Sequence, residues 1–481
     1  MDITPSKQNR KLCKMNTFVD AVNSPELIAT TNGVVAFDKT GSALVDLFFK
    51  IGAARKMEIA ELEVIFARAL AEDKNLATRI LLWARDVRGG AGERQVFRTL
   101  LKFMERNYPV ETIGLIPFIP DFGRWDDILQ FETPKVQSAA LYTYAMAISM
   151  GNGLAAKWAP RKGAIAAKLR NKMGVSPKVY RKTIVGLTDV VEQKMCAGQW
   201  ETIEFGKLPS IAAKQYQNAF GRRLPIQYGE YVSSLKSGNA KINASAIFPH
   251  DIITSLNNGN VDVAEAQWAA LPNYMTGARV LPVVDVSGSM NTPVGGNTTA
   301  MNVSIALGMY ISEKNTGIFN GLFSTFSKVP QLIKLVGTLK ERFNQLSKAQ
   351  WDMNTNISAV FELILSKATT HNVPQSEMPE YILILSDMQF DQCEQNSNNS
   401  AFVMISQLYA SACYTLPKIV FWNIAGATHN VPVTEKENGT ILISGFSPAI
   451  LKSVLAAKNF NPYNVMMDTI NVDRYSINIF D

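Results

Sequence analysis

Five oxygen-bearing side chains are spaced so that they could share one divalent cation. Asp285, Ser287 and Ser289 alternate along Asp285-Val-Ser-Gly-Ser. In extended backbone, alternate residues point to one side, so three oxygens converge. Gly288 permits a tight turn between the two serines. Thr355 stands in the polar stretch Met353-Asn354-Thr355-Asn356, and Asp387 follows the apolar run Tyr381–Ser386. Hydroxyls and carboxylates suit Mg²⁺, Ca²⁺ or Mn²⁺ rather than zinc, and a set with few carboxylates favours Mg²⁺, which keeps part of its water. Ser and Asp at these places also suit helix N-caps, the bland alternative. A hydrolytic centre would need a general base, and none of the three histidines, His250, His371 and His429, lies in these segments. Asp391 and Glu394 read as exposed loop acids. The chain is therefore expected not to be an enzyme.

A second set of residues is defined by charge. From 151 to 241 the chain carries 16 lysines and arginines against 5 acids, a local excess of 11 in a protein of net +7. The candidate phosphate contacts are Lys157, Arg161, Lys162, Lys168, Arg170, Lys172, Lys178, Arg181, Lys182, Arg222 and Arg223, interleaved with Trp158, Tyr180, Tyr216 and Tyr228. Cations hold phosphates and aromatic faces can stack on bases. Each aromatic taken alone is a commoner core residue than platform, and a solvated basic face without a partner is the plain alternative.

These residues need elements to position them. Residues 1–40 read as an extended arm. From Ser42 the apolar spacing is helical: Ala43, Leu44, Leu47, Phe48 and Ile51, then a stretch from Ile59 to Val87, then Glu93 to Tyr108 after the break Gly89–Gly92. Short helices divided by Pro and Gly continue to about 240, predicting a HEAT-like α-solenoid with no strict repeat, or else a plain bundle. From 279 the pattern alternates. Strands are predicted at Arg279–Val286, Asn320–Phe326, Tyr381–Ser386, Ile419–Ala425 and Ile441–Ser444, with helices at Ala300–Ile311, Ile357–Ser366, Phe402–Tyr414 and Ala449–Ala457. That order predicts a Rossmann-like, doubly wound sheet, with ligands beyond the carboxyl ends of its strands. The chain is thus α plus α/β, divided as an arm over 1–40, a helical domain over 41–275 and an α/β domain over 276–481. Cys13, Cys196, Cys393 and Cys413 form no C-x-x-C pair and read as buried reduced thiols. No apolar run is long enough to span a bilayer, and no apolar stretch follows the basic amino terminus; the expectation is a cytoplasmic protein with no membrane partner.

The set Asp285, Ser287, Ser289, Thr355 and Asp387 resembles the metal-ion-dependent adhesion site (MIDAS) of von Willebrand factor A domains. That family keeps one coordination position open for a partner's carboxylate, which implies a protein-docking role. In the helical half, Arg85-Asp86-Val87-Arg88-Gly89-Gly90-Ala91-Gly92-Glu93-Arg94 resembles the signature of proteins related to the TROVE module, the Ro autoantigen-like family. Asp121 to Asp127, Trp158 to Lys162 and Pro462 to Met466 resemble further elements of it, in an uncharacterised bacterial, plant and phage branch. The resemblance covers about 40 to 480. It implies helical repeats that close into a ring against an A domain, and ribonucleoprotein partners: single-stranded ends or small structured RNAs. Taken by themselves, Arg85, Asp86, Arg88, Glu93 and Arg94 read as an ion-pair network bracing a helix turn. Two rival readings are a metal-dependent protein-interaction module and a virion-associated structural protein with no RNA role.

Overall fold

The computed structural model describes residues 27–29, 35–257, 261–275, 277–295, 298–326, 330–347, 357–388, 401–425, 431–457 and 460–480. A helical region runs from Ala43 to Ala269, and a six-stranded sheet with flanking helices follows. In the arm, Leu27–Ala29 (β1) pairs antiparallel with Val35–Phe37 (β2), and Phe37 bridges to Val431.

The helices begin where the periodicity places them. Ser42 caps Ala43–Ile51 by accepting from the Val45 N–H, and its hydroxyl donates to Glu72 at 2.7 Å. This helix is buried nearly all round because it is covered by helices Ile59–Glu72 and Lys74–Arg85 and by a sheet edge. The stretch Ile59 to Val87 is two helices, not one. Asp73 divides them: its carboxylate accepts from the Leu76 N–H and starts Lys74–Arg85. The apolar spacing carries on across that break, and so hides it.

The sheet is built from Val280–Asp285 (β3), Leu322–Phe326 (β6), Leu332–Lys334 (β7), Tyr381–Ser386 (β8), Lys418–Asn423 (β9) and Thr440–Ser444 (β10), while Pro293–Gly295 (β4) and Thr298–Thr299 (β5) form a small hairpin. Its order is β10-β9-β8-β3-β6-β7, all parallel except the β7 edge. Numbered within the sheet this is 6-5-4-1-2-3, the doubly wound order, whose switch point lies between β3 and β8. β3 and β8 are wholly buried because both faces are covered. Helix Ala300–Lys314 packs on β3 and is itself covered by helix Pro249–Asn257.

The helical region therefore meets the sheet unit near both its ends. At one end Gly52 lies on β10: its N–H donates to Ser444 Oγ at 3.0 Å, and Ser444 Oγ donates to the Phe48 carbonyl at 3.1 Å. At the other, Pro249–Asn257 packs on Ala300–Lys314. One apolar core runs through the sheet and the helices from Leu44 to Ile184. A second, smaller core is made by Val191, Ile203, Leu208, Ala213 and Phe220. Two expectations are corrected here. Cys196 and Cys413 are exposed, because Cys196 is the last residue of helix Val191–Cys196 and Cys413 stands two residues past helix Ala401–Ser411, neither on a packed face; Cys13 and Cys393 lie outside the described residues. Among the described residues no helix is long and apolar enough to cross a membrane.

Candidate metal centre and nucleic-acid interface

Asp285 ends β3, and in the adjacent parallel strand Val284 is in register with Leu385. Ser386 and Asp387 therefore arrive beside Asp285 at the switch point. Asp285 is fully buried; one oxygen accepts from the Ser287 N–H at 2.9 Å and the other from Ser386 Oγ at 2.5 Å. Ser287 Oγ and Ser289 Oγ are 3.0 Å apart at the start of the short turn Gly288–Asn291. Asp387 is also buried. The next residue, Met388, is buried with φ of 67°, a conformation uncommon for a non-glycine residue. Burial, and after it the charge of Asp387, pushes the Asp285 carboxyl well above the usual carboxylate range. Two buried acids that repel one another beside two hydroxyls fit a hard divalent cation, which would hold both carboxylates ionised. Among the described residues no group of three or more His, Cys, Asp or Glu side chains is gathered to hold a metal. Thr355, Asp391 and Glu394 lie outside the described residues. Sequence reasoning passed over Ser386; the signal was a serine directly before the acid at a strand's carboxyl end.

The basic segment is spread over helices Gly153–Trp158, Gly163–Met173, Pro177–Leu187 and Ser210–Arg223. Lys157, Arg161, Lys162, Lys168, Arg170, Lys172, Lys178, Arg181 and Lys182 follow one another along the first three, at positions that are exposed or half-buried. Arg222 and Arg223 sit instead on the bundle with the smaller core. Among the described residues, none of these eleven cations has a carboxylate within ion-pair distance. Lys168 donates to Gln137 Oε1 and Lys172 to Ser138 Oγ at 3.0 Å, both uncharged.

The arginines of the first helices behave differently. Arg85 pairs with fully buried Asp127 at 2.8 Å, Arg55 with buried Glu93 at 2.7 Å, and Arg98 with Asp127 at 2.7 Å. The signature around Arg85 is thus a structural clasp whose partners come from outside it. Asp86 accepts from Arg474 and from Tyr475 Oη, tying the carboxyl-terminal tail to the helices. Arg88 and Arg94 are exposed and belong to no ion pair among the described residues. A Cβ on Gly90 would fall on the Trp83 carbonyl, so close backbone approach explains that glycine.

Three of the four interleaved aromatics, Tyr180, Tyr216 and Tyr228, serve the cores. Tyr180 is buried, donates to the Pro160 carbonyl at 3.0 Å, and has its pKa pushed up to about 12 by burial. Tyr216 donates to Glu192 Oε1 at 3.1 Å, Tyr228 packs on Phe205 and Phe220, and Trp158 lies under Arg124 at 3.7 Å.

Two family models match the chain: a domain of unknown function (DUF2828) at residues 30–130 and 167–278, and a domain of unknown function (DUF7788) at 279–475. "Uncharacterized protein L728" of Acanthamoeba polyphaga mimivirus is 30% identical in an alignment covering 92% of this chain and 86% of that protein. The chain belongs to the family of that viral protein. A solved structure, the Ro (RSR) protein of Deinococcus radiodurans, aligns over 89% of this chain and 90% of its own at 14% identity, with a TM-score of 0.37.

Proposed function

We propose that the chain is a non-enzymatic RNA-binding protein whose basic helices hold the nucleic-acid backbone. The observation that carries this is the set of eleven cations, Lys157 to Arg223, left without acidic partners among the described residues, whereas Arg55, Arg85, Arg98, Arg106 and Arg124 of the first helices each pair with a carboxylate. Unneutralised cations on successive helices attract a polyanion and release its counterions on binding. Backbone contacts carry little sequence information, so affinity should vary little between sequences. The described histidines support a role without catalysis: His250 is buried beside Phe248 and Phe446, and His371 stands exposed past the end of helix Ile357–Thr370. The two docking regions of the helical array, at β10 and at Ala300–Lys314, support a solenoid that closes into a ring against a von Willebrand-type A domain. The test is fluorescence anisotropy with labelled RNA across a salt series. If four to six cations engage, the log–log slope is about −3 to −4. Reversing Arg161, Lys162, Arg181 and Lys182 to Glu should flatten the slope and weaken all sequences alike. A salt-independent affinity would overturn the proposal.

A second reading concerns the switch point, where the two buried acids favour a Mg²⁺ site; Ca²⁺ or Mn²⁺ would suit the same oxygens. Asp285, Ser287, Ser289 and Asp387, with Thr355, would hold the ion, which would supply a Lewis-acidic position for a protein partner's carboxylate. A pull-down in Mg²⁺ against chelator tests it: equal recovery of every partner removes the docking role.

A further inference from the structure

Apolar side chains exposed singly are ordinary on a protein surface, but three in a row on one helix face are not. Helix Pro134–Ser149 carries Tyr142 and Met146 at 61% and 43% exposure, and Met150, which caps it, is 81% exposed. Steps of four residues put them on one face. Leu154, 60% exposed, follows just past the turn that ends the helix. The same face begins with Ser138, one turn before Tyr142, and Ser138 is where Lys172 seats its ammonium group. Lys168 seats on the adjoining Gln137, and Lys135, exposed and without an ion pair among the described residues, lies seven residues before Tyr142 on this face. Three cations, two of them seated on neutral side chains, thus lead directly into a row of exposed apolar side chains.

We propose that this face binds unpaired bases of a single-stranded nucleic acid: Lys135, Lys168 and Lys172 take its phosphates, and Tyr142, Met146 and Met150 take the exposed faces of its bases. The proposal rests on the RNA-binding reading above and adds the face that would take unpaired bases. Only a strand offers both chemistries at this spacing, since a duplex presents its phosphates but keeps its base faces stacked inside. From Tyr142 to Met150 the helix rises ~12 Å, at ~1.5 Å per residue. Bases stacked at ~3.4 Å would place roughly three or four on the stripe. Tyr142 supplies an aromatic plane and the methionines a polarizable, adaptable surface beside it.

The experiment measures binding of labelled oligouridylate, unpaired and as its duplex with oligoadenylate, to the full chain and to Tyr142→Ala and Tyr142→Ala/Met146→Ser. These side chains are exposed, so circular dichroism and melting should match the parent. Loss of a stacking platform should weaken unpaired-strand binding roughly 5- to 100-fold. The duplex affinity and both salt slopes should not change. If the parent binds single strand and the variants bind it equally well, the stripe is refuted while the electrostatic reading stands. If the parent binds neither form, the RNA reading fails and this proposal with it. If the variants lose a copurifying protein but no nucleic acid, the stripe is a protein-docking face and the proposal is overturned.

Discussion

Replacing Asp86 by Asn should loosen the carboxyl-terminal tail. Asp86 is fully buried and accepts four hydrogen bonds: from Arg474 Nε and Nη2 at 2.5 and 2.8 Å, from Tyr475 Oη at 2.8 Å, and from the Arg88 N–H at 3.0 Å. Asparagine keeps the shape, removes the charge and turns an amide donor toward groups that are themselves donors. Removing one partner of a buried pair costs ~3–5 kcal/mol. Arg474 is 38% exposed and regains some water when released, so a smaller loss, about 2–3 kcal/mol, is expected. At ~2.1 cal/mol/K per residue, a chain of this length melting as one unit has an unfolding entropy near ~1 kcal/mol/K, giving a Tm drop of about 2–3 °C. Local opening is the sharper readout. Trypsin should cut after Arg474 roughly 30- to 160-fold faster if cleavage follows the open population. Burial raises the Asp86 pKa, but the hydrogen bonds from Arg474, the Arg88 N–H and Tyr475 outweigh it and hold the carboxyl below its ordinary 3.8. With the folded value depressed, its contribution is present above 3.8 and is lost as pH falls through the lower folded value. The difference between parent and variant should therefore shrink in acid. A Tm within about 0.5 °C of the parent at neutral pH, together with unchanged cleavage, would refute the clasp.

His250, buried with its Nδ1 unpartnered, has its pKa pushed down to about 4 from 6.5 by burial. The neutral ring is favoured in the fold, so about 3 kcal/mol of stability is complete above pH 6.5 and lost as pH falls toward 4; denaturant titrations across that range should show the loss flattened in His250→Phe. Mg²⁺ should raise the melting temperature of the parent by the linkage relation, ~2.7 kcal/mol at one hundred times Kd, and do nothing for Asp285→Asn; an equal shift in both removes the metal assignment. Gly52→Ala would put a Cβ 2.4 Å from the Ser444 carbonyl oxygen, destabilising the chain by about 1–3 kcal/mol, whereas Gly229→Ala, with open space around it inside helix Pro225–Lys236, should be neutral or stabilising in the same melts.

Much of this protein is written locally. Strand Tyr381–Ser386 has the bounds its apolar run predicts, and the run Val280–Val284 delivers Asp285 to a strand end, because a strand buried on both faces must be apolar along its length. The excess of cations in 151–241 is likewise a property of composition, and so is the helical spacing from Ala43 onward. Tertiary structure decided what those residues meet. The periodicity of 59–87 could not show the break at Asp73, since a capping residue interrupts the backbone without interrupting the apolar stripe. The short antiparallel edge Leu332–Lys334 escaped notice because three residues carry too little pattern. Arg85, Asp86 and Glu93 read as an ion-pair network within one turn, yet their partners are Asp127, Arg474 and Arg55, up to 388 residues away. Tyr180 and Tyr228 sit among cations in sequence and in the cores in space, while Tyr142, outside the basic segment, is an exposed ring one helical turn past Ser138, where Lys172 seats. Periodicity and composition reveal which face of an element is apolar and how much charge it carries; which charges find acids, and which rings remain uncovered, depends on elements brought together from distant parts of the chain.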